Sequence, residues 1–220
     1  VILRFFLIFT QIGYVHPDEF FQGPSLAARM TFPTIKTFIT WEFNSETFEP
    51  QRSVTVPYLI SGVPFYLIRN VLLRYLHRSF FKMVIPKVLL IAPRLFLFII
   101  LFLIERCLWD WKSLEYLLWN LMWPVTVLLV RPFSNTSETL FLALLYILIV
   151  RQQVRDCRLK SMVIGVLSSM GFFSRFTFII FVGLLGLYHL VKPYLFNRRK
   201  SFKGYLITFC DMVLGFGVTS

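Results

Sequence analysis

Apolar runs close to membrane-spanning length alternate with short polar connections along most of this 220-residue chain. Residues 1–12 read as the tail of one helix, and 57–76 as the next apolar segment, closed by Arg74, His77, Arg78 and Lys82. Residues 83–104 follow, interrupted by Pro86, Lys87, Pro93 and Arg94. Two prolines and two cations make the first half of that run a poor lipid-facing helix. The runs 113–130 and 136–150 flank the polar connection RPFSNTSE at 131–138, and 162–191 is cut by Ser168-Ser169 and by Ser174-Arg175. Several of these runs approach the roughly 20 residues that a helix needs to cross a bilayer. The pattern predicts an all-α polytopic membrane protein. Composition agrees: 57% of residues are hydrophobic and 15% charged, against about a quarter charged in soluble domains.

The polar interval 14–55 holds five acids (Asp18, Glu19, Glu42, Glu46, Glu49) against Arg29, Lys36 and Arg52. An acid-rich loop poor in Lys and Arg belongs on the non-cytoplasmic side. Pro24, Pro33 and Pro50 divide it into short pieces. The basic stretches RQQVRDCRLK (151–160) and Asn197-Arg198-Arg199-Lys200 read as cytosolic loops. The segment between them then has to enter the membrane and return, turning near 173–177, as two short or re-entrant helices. One conflict remains. Counting every run as one span puts 131–138 in the cytosol and 151–160 outside, the reverse of the charge rule, so one segment within 57–104 is not a simple span.

The net charge of +12 would point to nucleic acid in a soluble protein. Here the cations punctuate apolar runs and mark topology, so no nucleic-acid partner is expected. Cys107, Cys157 and Cys210 have no metal-ligand spacing and an odd count, which implies neither a disulfide framework nor a metal site. Gly183, Gly186, Gly215 and Gly217 lie in apolar runs and read as helix-packing positions. The chain begins inside one apolar run and stops inside another, without an initiator Met. The expectation is an N-terminal or central fragment forming a single transmembrane domain over 1–220, its chemistry carried by the 14–55 loop.

Candidate chemistry centres on His16-Pro17-Asp18-Glu19, directly after the first apolar run. One reading is helix capping, since Pro suits a first turn and carboxylates there complement the helix dipole. The other is a carboxylate at the membrane boundary that takes a proton from a hydroxyl. Three further constellations interrupt apolar sequence: Trp41-Glu42-Phe43, the 131–138 connection, and Ser174-Arg175-Phe176-Thr177. Trp41 also reads as an interfacial anchor, Arg52 as a structural partner of Glu42 or Glu49, and Arg131 as an end-of-helix cation. Arg175 is harder to treat as bland, because a cation within an apolar run usually faces a cavity or a partner. The sequon Asn135-Thr136-Ser137 reads as structural rather than modified. Acids that accept a proton beside arginines that bind phosphate fit transfer from a lipid-linked phosphate donor.

GYVHPDEFFQ, followed in order by TWEF, RSVTVP, RPFSNTSE and FFSRFT across residues 13–177, resembles the dolichyl-phosphate-mannose-dependent glycosyltransferases of the endoplasmic reticulum, glycosyltransferase family 22 of GT-C type. The resemblance implies a GT-C transmembrane bundle with a luminal active site and an inverting single displacement. It implies dolichyl-phosphate mannose as donor and a GPI precursor glycolipid as acceptor, at the fourth, α1,2-linked mannose. Siblings acting on the third GPI mannose or the N-glycan precursor are the runner-up. Asp18 is then the leading base, with Glu19 as its alternative or orienting partner. His16, Glu42 and Arg52 shape the luminal pocket, and Arg131 and Arg175 meet substrate, Arg175 at the donor phosphate. No metal and no cofactor beyond the lipid-linked donor is implied. Family members commonly carry an acid soon after HPDEFFQ, where this chain has Gly23-Pro24-Ser25. From another class, a transporter would use Asp18, Glu19 and Arg175 as ligands, but the acids cluster in an outer loop and no internal repeat is visible. A non-catalytic scaffold would tolerate neutralising Asp18 and Glu19 together.

Overall fold

The computed structural model describes residues 1–11, 13, 16–32, 36–40, 43, 53–75, 78–151, 158–196 and 202–217, and every regular element among them is helical. They form two compact units, Val1–Thr136 and Ser137–Ser220.

The first unit contains α1 (Ile2–Thr10), the single turn α2 (Asp18–Phe21) and α3 (Pro24–Thr31). Next, α4 (Thr55–Pro57) passes through a π-helical turn, Tyr58–Gly62, into α5 (Val63–Tyr75). The long α6 (Arg78–Leu108), α7 (Leu114–Leu121), a second π-helical turn at Pro124–Leu128 and the start of α8 (Ser134–Tyr146) complete it. Pro24 opens α3, where its missing N–H is no loss. Small residues on that helix allow close packing: Ala27 and Ala28 meet Phe32, Phe65, Leu89 and Ala92 in one buried cluster. The Arg69 guanidinium donates to the Thr31 carbonyl at 2.7 Å, satisfying one of the carbonyls that a helix end leaves unpaired.

That cluster changes the reading of 57–76. The run is broken by a π-helical turn and buries Phe65 completely among α3 and α6 residues. Among the described residues one helical stretch, Pro86–Leu108, is long and apolar enough to cross a membrane, and Ser134–Val150 and Phe178–Tyr188 are shorter apolar helices. The prolines expected to interrupt 83–104 lie inside a continuous α6. Its first half is indeed poorly suited to lipid, and it faces protein: Leu89 and Ala92 are in the core and Arg94 is buried.

At the other end of α6, Arg4 of α1 forms a two-pronged buried pair with Glu105, at 2.8 and 3.0 Å. Glu105 also accepts from the Trp119 indole at 2.7 Å, and Arg4 donates to the Asn120 side chain. Ser113 caps α7 by accepting the Tyr116 N–H. Leu114, Leu117, Leu118 and Leu121 of α7 point outward, as does Glu115, while the Asn120 side chain meets Arg4. Removing one member of a buried pair costs about 3–5 kcal/mol, whereas replacing both with apolar groups is often neutral. Arg4→Met should therefore lower the melting temperature of the detergent-solubilised protein far more than Arg4→Met with Glu105→Leu.

In the second unit, α8 ends in a π-helical turn, Ile147–Arg151, followed by α9 (Arg158–Ser174), α10 (Phe178–Phe196) and α11 (Phe202–Gly217). The expected turn near 173–177 falls between α9 and α10. Gly171 makes that turn possible, because a Cβ there would lie 2.2 Å from the Phe178 ring, which is fully buried with Leu145, Ile149 and Ile164. Of the four glycines expected to serve packing, Gly215 does so: its Cβ would sit 2.1 Å from the Met162 carbonyl, so α9 and α11 meet backbone to backbone. Among the described residues nothing lies within 4 Å of a Cβ at Gly183 or Gly217, whereas one at Gly186 would make an ordinary contact with Met212 of α11, at 3.7 Å. The helix-packing reading gains no contact at Gly183 and Gly217. Overpacking a close contact costs about 1–3 kcal/mol. Gly215→Ala should lower the thermal midpoint by several degrees and Gly217→Ala should not.

Candidate active site

The two adjacent acids of the His16–Glu19 stretch have opposite surroundings. Glu19 is 2% exposed and lies between two arginines. Arg94 of α6 donates to its Oε1 from Nε at 3.0 Å and from Nη2 at 2.6 Å. Arg131, in the connection before α8, donates to Oε2 from Nη1. Both arginines are themselves buried, so the desolvation of three charges is offset by close, multiply hydrogen-bonded pairing.

The same guanidinium groups also fix the backbone leading into the acids. Arg94 Nη1 donates to the Gln11 carbonyl at 2.6 Å and Nη2 to the Gly13 carbonyl at 2.7 Å. Arg131 reaches the Gly13 carbonyl at 3.3 Å and the Gln11 side chain. These carbonyls belong to the end of α1 and its exit, which would otherwise need another donor. Gln11 and Gly13 are therefore tied to α6 and to the 131 connection ahead of α2, and Glu19 is tied to both within it.

Asp18 faces the other way. Its side chain is half exposed, and one oxygen lies 3.5 Å from Nδ1 of the exposed His16. The Asp18 N–H donates to the same Nδ1 at 3.3 Å. Both acids fall in the first turn of α2 after Pro17, as the capping reading expects. The Glu19 carboxylate meets the two guanidinium groups as well.

Of the other expected positions, Glu42 and Arg52, with Trp41, lie outside the described residues. Arg131 is brought to Glu19. Gly23-Pro24-Ser25 is packed inside, with Pro24 and Ser25 buried and the Ser25 hydroxyl donating to the Phe38 carbonyl at 2.8 Å. Within the second unit, Arg175 sits in the α9–α10 turn with its Nε 3.9 Å from Glu138 Oε2. The sequon is in the first turn of α8, with Asn135 exposed and Thr136 and Ser137 buried.

Arg94 is the site member that sequence reasoning did not place. The signal was present, since a cation beside a proline in an apolar run needs a partner, but the partner is 75 positions away. Chemically, the arrangement presents one available carboxylate, Asp18, on a turn held rigid by its neighbour. Among the described residues no three His, Cys, Asp or Glu side chains gather as a metal site would require.

Comparison with known proteins bears on what such a carboxylate acts upon. The sequence model of the Alg9-like mannosyltransferase family matches residues 1–220. The chain is 29% identical over 216 residues to GPI mannosyltransferase 4 of Schizosaccharomyces pombe, covering 92% of this chain and 36% of the relative. It is 31% identical over 212 residues to GPI alpha-1,2-mannosyltransferase 4 of Homo sapiens, covering 88% of this chain and 34% of the relative. A 63-residue stretch is 41% identical to GPI mannosyltransferase 4 of Drosophila melanogaster, covering 28% and 9%. The chain thus spans about a third of the length of the first two curated relatives. No solved structure matches it.

Proposed function

The chain belongs to the Alg9-like mannosyltransferase family, and from that premise we propose that it carries the acceptor-activating face of an enzyme transferring mannose from dolichyl-phosphate mannose to a GPI precursor in the endoplasmic reticulum lumen. Asp18 removes the proton from the acceptor hydroxyl as that oxygen attacks C1 of the donor mannose. The C1–O bond to phosphate breaks, dolichyl phosphate leaves with the electron pair, and the anomeric centre inverts. A phosphate leaving group needs little protonation but does need charge stabilisation, the part we give to Arg175. The observation that carries this reading is the division between the two acids, one buried in a double arginine clamp and one open to solvent. Glu19 and Arg131 act by holding Asp18 in place. Relatives named as GPI mannosyltransferase 4 support the fourth mannose as the position filled.

The same contacts support a topology that obeys the charge rule. Residues 4, 105 and 120 meet at one level of the first unit, and residues 11, 94 and 131 at another. In this proposal α1 and the 114–131 segment run toward the lumen, α6 runs back between them, and α5 stays with the luminal loop. The 131–138 connection and the 174–177 turn are then luminal, and 151–160 and 197–200 cytosolic. The transporter reading loses support at Glu19, whose carboxylate is already held by two arginines.

The test is complementation. In cells lacking the fourth-mannose enzyme, the full-length gene should restore the four-mannose GPI precursor. Rescue of a neighbouring mannosyl step instead would move the acceptor, and a well-expressed protein that restores no mannosyl transfer would refute the proposal.

A further inference from the structure

Arg175 is placed by more than its own turn. The acid that ends the RPFSNTSE connection, Glu138, lies one turn into α8 and meets the α9–α10 turn 37 positions later. Its Oε2 is 3.9 Å from Arg175 Nε, and its Oε1 accepts from the Thr177 hydroxyl at 3.4 Å. Glu138 is largely buried at 12% and Arg175 is 31% exposed, so the acid sits behind and the cation in front. A guanidinium approached on its Nε flank still has the outer N–H groups of its two Nη atoms, an end-on fork suited to two oxygens of a phosphate. Thr177 fixes the carboxylate that fixes the arginine.

We propose that Glu138 is a positioning residue that aims the Arg175 fork at a lipid-linked phosphate, and so sets affinity for the donor rather than the rate of proton removal. This rests on the mannosyl-transfer reading above, in which Arg175 meets the donor phosphate. An acid near a phosphate site would repel the ligand if it faced it directly. Being buried and paired with Arg175 and Thr177, Glu138 acts through its neighbours. The full assembly then draws on two motifs, SNTSE and SRFT, that the sequence presents as separate.

The experiment uses the full-length protein in microsomes and in detergent. Dolichyl phosphate binding is measured directly, and mannosyl transfer is followed as donor and acceptor are varied separately. Losing one charge-assisted contact to the arginine should raise the donor KM of Glu138→Gln, and the dissociation constant for dolichyl phosphate, by about tenfold. The acceptor KM should stay within about twofold, whereas kcat falls together with the leaving-group stabilisation that Arg175 supplies. Thr177→Val should move the same two quantities less. The charge-reversed pair, Glu138→Arg with Arg175→Glu, keeps an ion pair and should accumulate like the wild type without binding phosphate or transferring mannose. A merely structural pair gives the opposite result, with the reversed double variant recovering both, and that overturns the inference. An unchanged donor KM and dissociation constant in a well-folded Glu138→Gln also overturns it. A wild-type protein that neither binds dolichyl phosphate nor transfers mannose overturns the mannosyl-transfer reading, and this inference with it.

Discussion

Asp18→Asn should lower mannosyl transfer by about a hundredfold to ten-thousandfold, the range typical of removing a general base, while the protein accumulates at its normal level. The substitution is nearly isosteric and removes only the group able to accept a proton. The side chain is half exposed and its contact is with exposed His16, so little folding energy depends on its charge. Donor binding should be preserved, because the phosphate is assigned to Arg175 rather than to this turn. Transfer into GPI precursors in microsomes, with immunoblotting of the same membranes, separates the two quantities. A loss of activity matched by an equal loss of protein would remove the assignment.

The second large effect falls on Arg94. Arg94→Ala leaves Glu19 buried with one cation instead of two, removes the guanidinium donor to the Gln11 carbonyl and leaves the Gly13 carbonyl only its longer bond from Arg131. Breaking a buried ion pair from one side costs about 3–5 kcal/mol, a large part of the 5–15 kcal/mol by which a typical domain is stable. Arg94→Ala should therefore fail to accumulate. Arg94→Lys should only partly restore it, since one ammonium cannot reach Glu19 and both carbonyls in the planar geometry of a guanidinium. Arg94→Met combined with Glu19→Gln removes both charges, and should accumulate better than Arg94→Ala even though the Gln11 carbonyl loses its Arg94 donor. Protein half-life and thermal midpoint report this directly. Normal accumulation of Arg94→Ala would mean that the clamp contributes little to stability.

The sequence revealed some of this architecture because certain signals are local. The α9–α10 turn was legible in Ser174-Arg175, where polar residues cut an apolar run too short for two full spans. The luminal placement proposed for the first loop rests on its acids. Continuity of α6 was not legible, because Pro86, Lys87, Pro93 and Arg94 all read as breaks in the absence of anything to pack against. What makes that stretch a helix is tertiary: α3 and Phe65 on one side and the Glu19 carboxylate on the other. Arg4 was passed over as part of a helix tail, although a cation one turn inside an apolar run already asks for a partner, and Glu105 was available. The roles of Asp18 and Glu19 could not be separated in one dimension. Neighbours on a helical turn point about 100° apart, and only the position of Arg94 and Arg131 decides which of the two is turned inward. Glu42 and Arg52 remain expectations from the sequence.

That division of labour is the central claim, and one comparison tests it most directly. In microsomes from cells lacking the fourth-mannose enzyme, transfer per molecule of protein is measured for wild type, Asp18→Asn and Glu19→Gln. The account predicts that Asp18→Asn is abundant and inactive, whereas Glu19→Gln is scarce, and each molecule that does fold keeps a substantial share of wild-type transfer. An abundant, inactive Glu19→Gln beside an active Asp18→Asn would contradict it and move the chemistry into the arginine clamp.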